Sequence, residues 1–147
     1  MEHEDYMNEA LALAREAAAQ GEVPVGCVIV RDGEIVGRGR NRREELQATA
    51  SHAEMEAIAD ANRCLGTWRL EDCALYVTLE PCPMCAGAIL NARLDRVAYG
   101  AADRDAGAVG SLIHLFDVPF GHRPRVTVGV LEHECAALLG DFFRSLR

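Results

Sequence analysis

The chain has 147 residues, half of them hydrophobic, and a formal charge of −8. That is the length of one domain with apolar residues enough for a buried core, and it holds no apolar run near the roughly 20 residues of a membrane span. The acidic start (Glu2, Glu4, Asp5) is unlike a basic secretory leader, so the expectation is a soluble cytoplasmic protein with no membrane partner, and its net charge opposes nonspecific nucleic-acid binding.

Every one of the 15 basic residues is Arg. Arg makes bidentate phosphate contacts, so local placement can outweigh net charge. Residues Asp5 to Gln20 carry Met7, Ala10, Leu11, Ala14, Ala17 and Ala18 at helical spacing, and Gly21 follows as a stop. Val23 to Val30 is β-branched and reads as a buried strand. Asp32-Gly33 is a hairpin turn signal, and Glu34 to Arg40 should return antiparallel. Pro24 and Gly26 fit the strand's entrance or a point where a ligand nears the backbone. Arg38, Arg40, Arg42 and Arg43 surround Asn41. Two readings stand here: a solvated strand end, or a phosphate-facing patch in which Asn41 offers donor and acceptor to a nucleoside.

A helix is expected from His52 to Asn62, with Ser51 as N-cap and Glu54 three residues on. Glu54 is then either a capping-box partner or an acid with a chemical task. Leu65 to Trp68 is a break, with the Trp packed. Cys73 to Leu79 is the clearest strand; it ends at Glu80-Pro81, where a second helix opens and runs to Asn91. Leu94 to Tyr99 reads as a strand, Asp103 to Gly110 as a loop, Ser111 to Phe116 as a short helix and Arg125 to Val130 as a last strand. From Glu132 the chain should be helical, with Cys135, Ala136, Leu138, Leu139, Phe142 and Phe143 apolar. Glu132-His133-Glu134-Cys135 looks metal-like, but Cys135 fits that helix's apolar face.

His52, Cys82 and Cys85 are three ligands of the kind zinc prefers. Structural zinc sites close with four protein ligands, whereas catalytic sites use three and keep a corner for water. Cys82 and Cys85, three apart at a helix start, face the same way, and the helix N-terminus favours thiolates. The other cysteines, Cys27, Cys64, Cys73 and Cys135, read as reduced, buried small hydrophobes.

The pattern His-x-Glu followed by Pro-Cys-x-x-Cys is similar to the signature of zinc-dependent nucleobase deaminases. Further stretches extend the likeness: Glu22-Val23-Pro24-Val25-Gly26, Gly39-Arg40-Asn41-Arg42, Leu75 through Ala88, Gly110-Ser111-Leu112, and Glu134 through Leu139 with Asp141-Phe142-Phe143. Over nearly its whole length the chain resembles the bacterial TadA-type tRNA adenosine deaminases, of the cytidine/deoxycytidylate deaminase superfamily. The resemblance implies one zinc-dependent deaminase domain over residues 1–147, with a three-layer α/β/α cytidine-deaminase-like fold around a mixed five-stranded sheet. It implies a homodimer with one Zn2+ per subunit. The implied substrate is the wobble adenosine of a tRNA anticodon stem-loop, usually an arginine tRNA, converted to inosine.

Its site residues carry over as metal ligands His52, Cys82 and Cys85, with Glu54 as proton carrier. Asn41, Val23, Pro24, Val25 and Ala53 become the substrate pocket; Phe142, Phe143 and Arg144 stand as contacts to flanking nucleotides, with core packing the equal alternative for the Phe pair. The chain departs from the family at Gln47 to Ser51, at Gly121-His122-Arg123 and in the acidic loop Asp103-Arg104-Asp105. These departures keep two alternatives open. One is a deaminase of a free base or nucleoside such as cytosine or guanine. The other is an inactive, zinc-stabilised RNA-binding scaffold, which would want a fourth ligand or lack the acid.

Overall fold

The computed structural model describes residues 2–146. Helix α1 (His3–Ala19) leads into strands β1 (Gly26–Arg31) and β2 (Glu34–Arg40). Next come α2 (Arg43–Leu46), α3 (Ala53–Leu65), β3 (Cys73–Leu79), α4 (Pro83–Ala92) and β4 (Arg96–Ala101). A 3-10 turn (Leu115–Asp117), β5 (Arg125–Val128) and α5 (Glu132–Ser145) complete the order. The sheet runs β2-β1-β3-β4-β5. β1 is antiparallel to β2 and β3, while β3, β4 and β5 are parallel, so the mixed five-stranded sheet is as expected.

Alternation along the strands divides the core in two. Cys27, Ile29, Leu75, Val77, Val97 and Tyr99 point one way, against Ala57, Ile58 and Ala61 of α3 and Ala86, Ile89 and Leu90 of α4. Val28, Val30, Ala74, Tyr76 and Ala98 point the other way, against Tyr6, Met7, Ala10 and Leu11 of α1 and Cys135 of α5. Helices on both faces give the three layers. Fully buried Ile29, Leu75 and Ile89 contribute about 1.5–3 kcal/mol each by burial.

One seam sets the depth of α3. A Cβ on Gly39 would lie 2.2 Å from the Ala53 carbonyl oxygen, and one on Gly37 would lie 2.5 Å from that of Ala57. The β2 backbone therefore touches the α3 backbone directly, at the helix end that begins beside His52.

Several expectations need correction. β1 starts at Gly26 rather than Val23, because the Val25 N–H bonds back to the Val23 carbonyl in a tight turn around Pro24. The N-cap of α3 is His52, not Ser51. Ser51 is held outside the helix, its carbonyl accepting the Arg42 N–H at 3.0 Å. Glu54 is then the second helical residue, which removes the capping-box reading. No helix forms over 111–116 beyond the turn at Leu115–Asp117, because the Ser111 N–H and hydroxyl are drawn to Glu80.

Trp68 is 54% exposed, with the Arg69 guanidinium 4.7 Å and that of Arg93 5.9 Å from its ring centre. That cationic cover suits a ring in water. Cys64 is exposed on the last turn of α3. On α5 the expected apolar face is shallow: Cys135 is buried, but Phe143 is 48% exposed beside Phe142. Among the described residues no helix is long and apolar enough to cross a membrane.

Candidate active site

Two helix N-termini meet at the carboxyl edge of the sheet. His52 is the N-cap of α3, and Ala53 and Glu54 follow as its first residues. Cys82 is the N-cap of α4, Pro83 supplies the preset φ of a first helical residue, and Cys85 lies one turn in. Both helix dipoles aim their positive ends at this point, which favours thiolates and carboxylates there. β3, the central strand, delivers α4 directly, and the glycine seam of the edge strand β2 fixes α3.

His52 Nδ1 lies 3.5 Å from Cys82 Sγ and 3.6 Å from Cys85 Sγ. All three ligand atoms fall within 4.8 Å of one another. Bonds of about 2.3 Å to sulfur and 2.0–2.1 Å to nitrogen at a tetrahedral angle would separate S from N by about 3.5–3.6 Å. The side chains present therefore fit a tetrahedral cation of zinc's size without rearrangement. Among the described residues no other His, Cys, Asp or Glu joins the cluster, which matches three ligands and an open corner. The rejected Glu132–Cys135 stretch forms no such group among those residues.

Charge on the sulfurs is uneven. The hydrogen bond from Cys85, then that of His52, pulls the Cys82 thiol down to about 4 against the effect of burial. Donating that bond, and burial, push Cys85 well up. His52 is raised, chiefly through its hydrogen bond with Cys82. A cation taking the full set must displace the Cys85 proton, so binding releases protons.

The cleft beside these ligands holds about 180 Å³, the scale of one heterocyclic base. Val23, Val25, Asn41, Ala53 and Glu54 line it, together with His52 and Cys82. Pro24 is buried behind the wall, and Arg144 stands exposed on α5, paired with Asp141, away from the lining. Asn41 donates to the Val23 carbonyl at 3.3 Å and accepts the Arg43 N–H at 3.2 Å. Its amide retains one N–H and one lone pair. Glu54 is 4% exposed; burial raises its carboxyl to about 7, the opposing bonds from its own backbone and Cys85 recovering only part.

Leu79, Glu80, Asp103, Ala106 and Arg43 also line the cleft. Leu79-Glu80 sits at the end of a parallel strand just before Pro81-Cys82, the place where α/β sheets open their ligand crevices; position was the available signal. The arginine cluster resolves into two parts. Arg40 and Arg42 pair with Glu45 at 3.0 and 2.8 Å, and Arg42 reaches Glu56 at 3.3 Å. Those bonds, Arg42 first, lower the Glu45 carboxyl. Arg43 instead faces the cleft.

Comparison with known proteins places this geometry. The family model of the MafB19-like deaminases matches residues 1–147. A tRNA-specific adenosine deaminase of Bacillus subtilis is 50% identical over 143 residues, 97% of this chain and 89% of the relative. A structure from work on A-to-I editing by tRNA:A34 deaminases at the wobble position superimposes with a TM-score of 0.88 at 45% identity, covering 91% of this chain and 98% of the other. The X-ray structure of guanine deaminase from Bacillus subtilis covers 99% of this chain and 94% of its own, with a TM-score of 0.68 and 37% identity. Alike in sequence over 97% of its length and in fold, this chain belongs to the MafB19-like deaminase family and to the tRNA-specific adenosine deaminases.

Proposed function

We propose that the chain hydrolyses the wobble adenosine of a tRNA anticodon stem-loop to inosine, with Glu54 as proton carrier and zinc on His52, Cys82 and Cys85. The observation that carries this reading is a buried carboxylate opening on the same base-sized cleft as a three-ligand set. Zinc held there supplies the Lewis acidity that makes water nucleophilic near neutral pH. Glu54 takes the proton from that water as the C6–O bond forms and gives it to ring N1. It then takes the remaining proton of the new C6 hydroxyl and passes it to the amino group, so that C6=O forms as the C6–N bond breaks and ammonia leaves. A carboxyl group raised to about 7 exchanges protons in both directions near neutrality.

Asn41 has one donor and one acceptor left for the sugar or base edge. Val23, Val25 and Ala53 form the apolar wall against the ring, with Pro24 setting the turn behind them. An anticodon loop presents its base unpaired, so entry into the cleft costs little unstacking. Exposed Phe143 and Arg144 are our choices for the flanking nucleotides. We take the working unit as a cytoplasmic homodimer with one zinc per subunit, each chain a single deaminase domain. Light scattering on sized protein and metal analysis check both counts.

The decisive experiment gives metal-loaded protein an arginine tRNA stem-loop with adenosine at the wobble position, beside free adenosine, cytidine and guanine. Inosine in the stem-loop alone is expected. Turnover of a free base alone would move the chain to the second reading, favoured by the single-base scale of the cleft and the −8 charge. Silence on all substrates with zinc bound would point to the scaffold.

A further inference from the structure

Glu80 is 2% exposed at the end of β3, two residues before Cys82. Its Oε1 accepts the Asp103 N–H at 3.1 Å and the Ser111 hydroxyl; its Oε2 accepts the N–H groups of Val109 and Ser111, each at 3.0 Å. A carboxylate offers about four lone-pair sites, and here four donors take them. Glu80 therefore has no capacity left for substrate, water or metal, although it lines the cleft. All of its donors belong to the segment 103–111, which has no helix or strand of its own.

The same segment supplies Asp103 and Ala106 to the cleft wall. It is further tied by the Ala108 N–H to the Pro81 carbonyl at 2.9 Å, beside the ligand Cys82. The Asp103 carboxylate turns inward to accept the N–H groups of Asp105 and Ala106. Gly107 lies against the carboxylate so closely that a Cβ would sit 2.3 Å from Oε2. This wall is thus wrapped around one buried anion, while its Ala108 and Val109 also pack into the apolar core.

We propose that Glu80 is a positioning residue: it fixes the 103–111 wall in register with the metal-ligand segment and so sets how tightly the cleft holds its base, without taking part in proton transfer. The proposal rests on the deaminase reading above for its effect on turnover, but not for the clamp itself.

The test compares wild type, Glu80→Gln and Ser111→Ala, each metal-loaded, by steady-state kinetics on the stem-loop and by amide hydrogen exchange. In Glu80→Gln one acceptor oxygen becomes an NH2 donor facing N–H groups. KM should rise about tenfold or more with kcat within about threefold, the signature of lost binding rather than lost chemistry. Amides in 103–111 should exchange at least about tenfold faster while those of β3 and α3 hold their rates. Ser111→Ala removes one donor and should move both readouts the same way, by about threefold. It also decides the matter if Glu80→Gln does not fold. A fall in kcat at constant KM would overturn the proposal by putting Glu80 in the chemistry. Exchange raised evenly across the chain with KM unchanged would reduce it to a general stability role. If wild type makes no inosine, the functional reading fails while the exchange pattern still decides the clamp.

Discussion

Glu54 and Glu80 line one cleft, 4% and 2% exposed, at the ends of neighbouring elements. Burial pushes both carboxyls up. Glu54 has its own backbone N–H and the Cys85 thiol to oppose that, and stays raised to about 7. For Glu80, Ser111, Asp103 and Val109 outweigh burial and hold the group below the usual carboxylate range. More donors around Glu80, together with heavier desolvation by burial at Glu54, set the two carboxyls apart. Side by side, the pair shows why acids in a site cannot be ranked by exposure alone.

The widest separation between the two comes from removing what only one of them serves. Cys85→Ala takes away a ligand of the set beside Glu54; metal content and turnover should both fall to background, read by metal analysis and inosine assay. Glu54→Gln should keep the metal and the melting temperature but lower kcat by about a thousandfold. Substantial activity in that variant would erase the distinction between the acids, since Glu80 → Gln is expected to act on KM. Backbone seams sharpen the comparison further. Gly39→Ala presses on the Ala53 carbonyl behind Glu54, and Gly107→Ala presses on the Glu80 carboxylate. Each should cost about 1–3 kcal/mol in thermal or denaturant unfolding. The first should depress kcat and the second should raise KM. Arg144→Ala lies outside both halves and should raise the stem-loop KM by no more than about threefold, without affecting metal.

The Glu54 side was legible from the sequence because its parts are local: His52 and Glu54 are two apart, Cys82 and Cys85 three. The sheet was legible for a similar reason, β1 and β3 being continuous runs of buried, mostly apolar residues. Glu80 was not legible as a clamp, since its partners lie 23 to 31 residues away and no short spacing records them. Ser51 misled in the opposite sense. Ser-x-x-Glu satisfies the capping pattern, but the Arg42 N–H, nine residues back in the chain by numbering, claims the Ser51 carbonyl and starts the helix one residue later. The arginines around Asn41 could not be sorted by sequence because Glu45 and Glu56 neutralise two of them across separate elements.

α3 carries a further consequence. Its first turn holds Glu54 beside the candidate ligand His52, and its last turn presents the exposed thiol of Cys64, about 15 Å from Glu54 along the same rod at 1.5 Å per residue. Of the six cysteines Cys64 is the exposed one, and the sequence contains no lysine. With the half-buried Cys82 tied up by metal, a maleimide dye would find Cys64 as the open attachment point, and amine chemistry none on any side chain. The protein comes with a place for a fluorescent reporter at fixed distance from its cleft, where energy transfer to a labelled stem-loop could be followed without engineering a new handle.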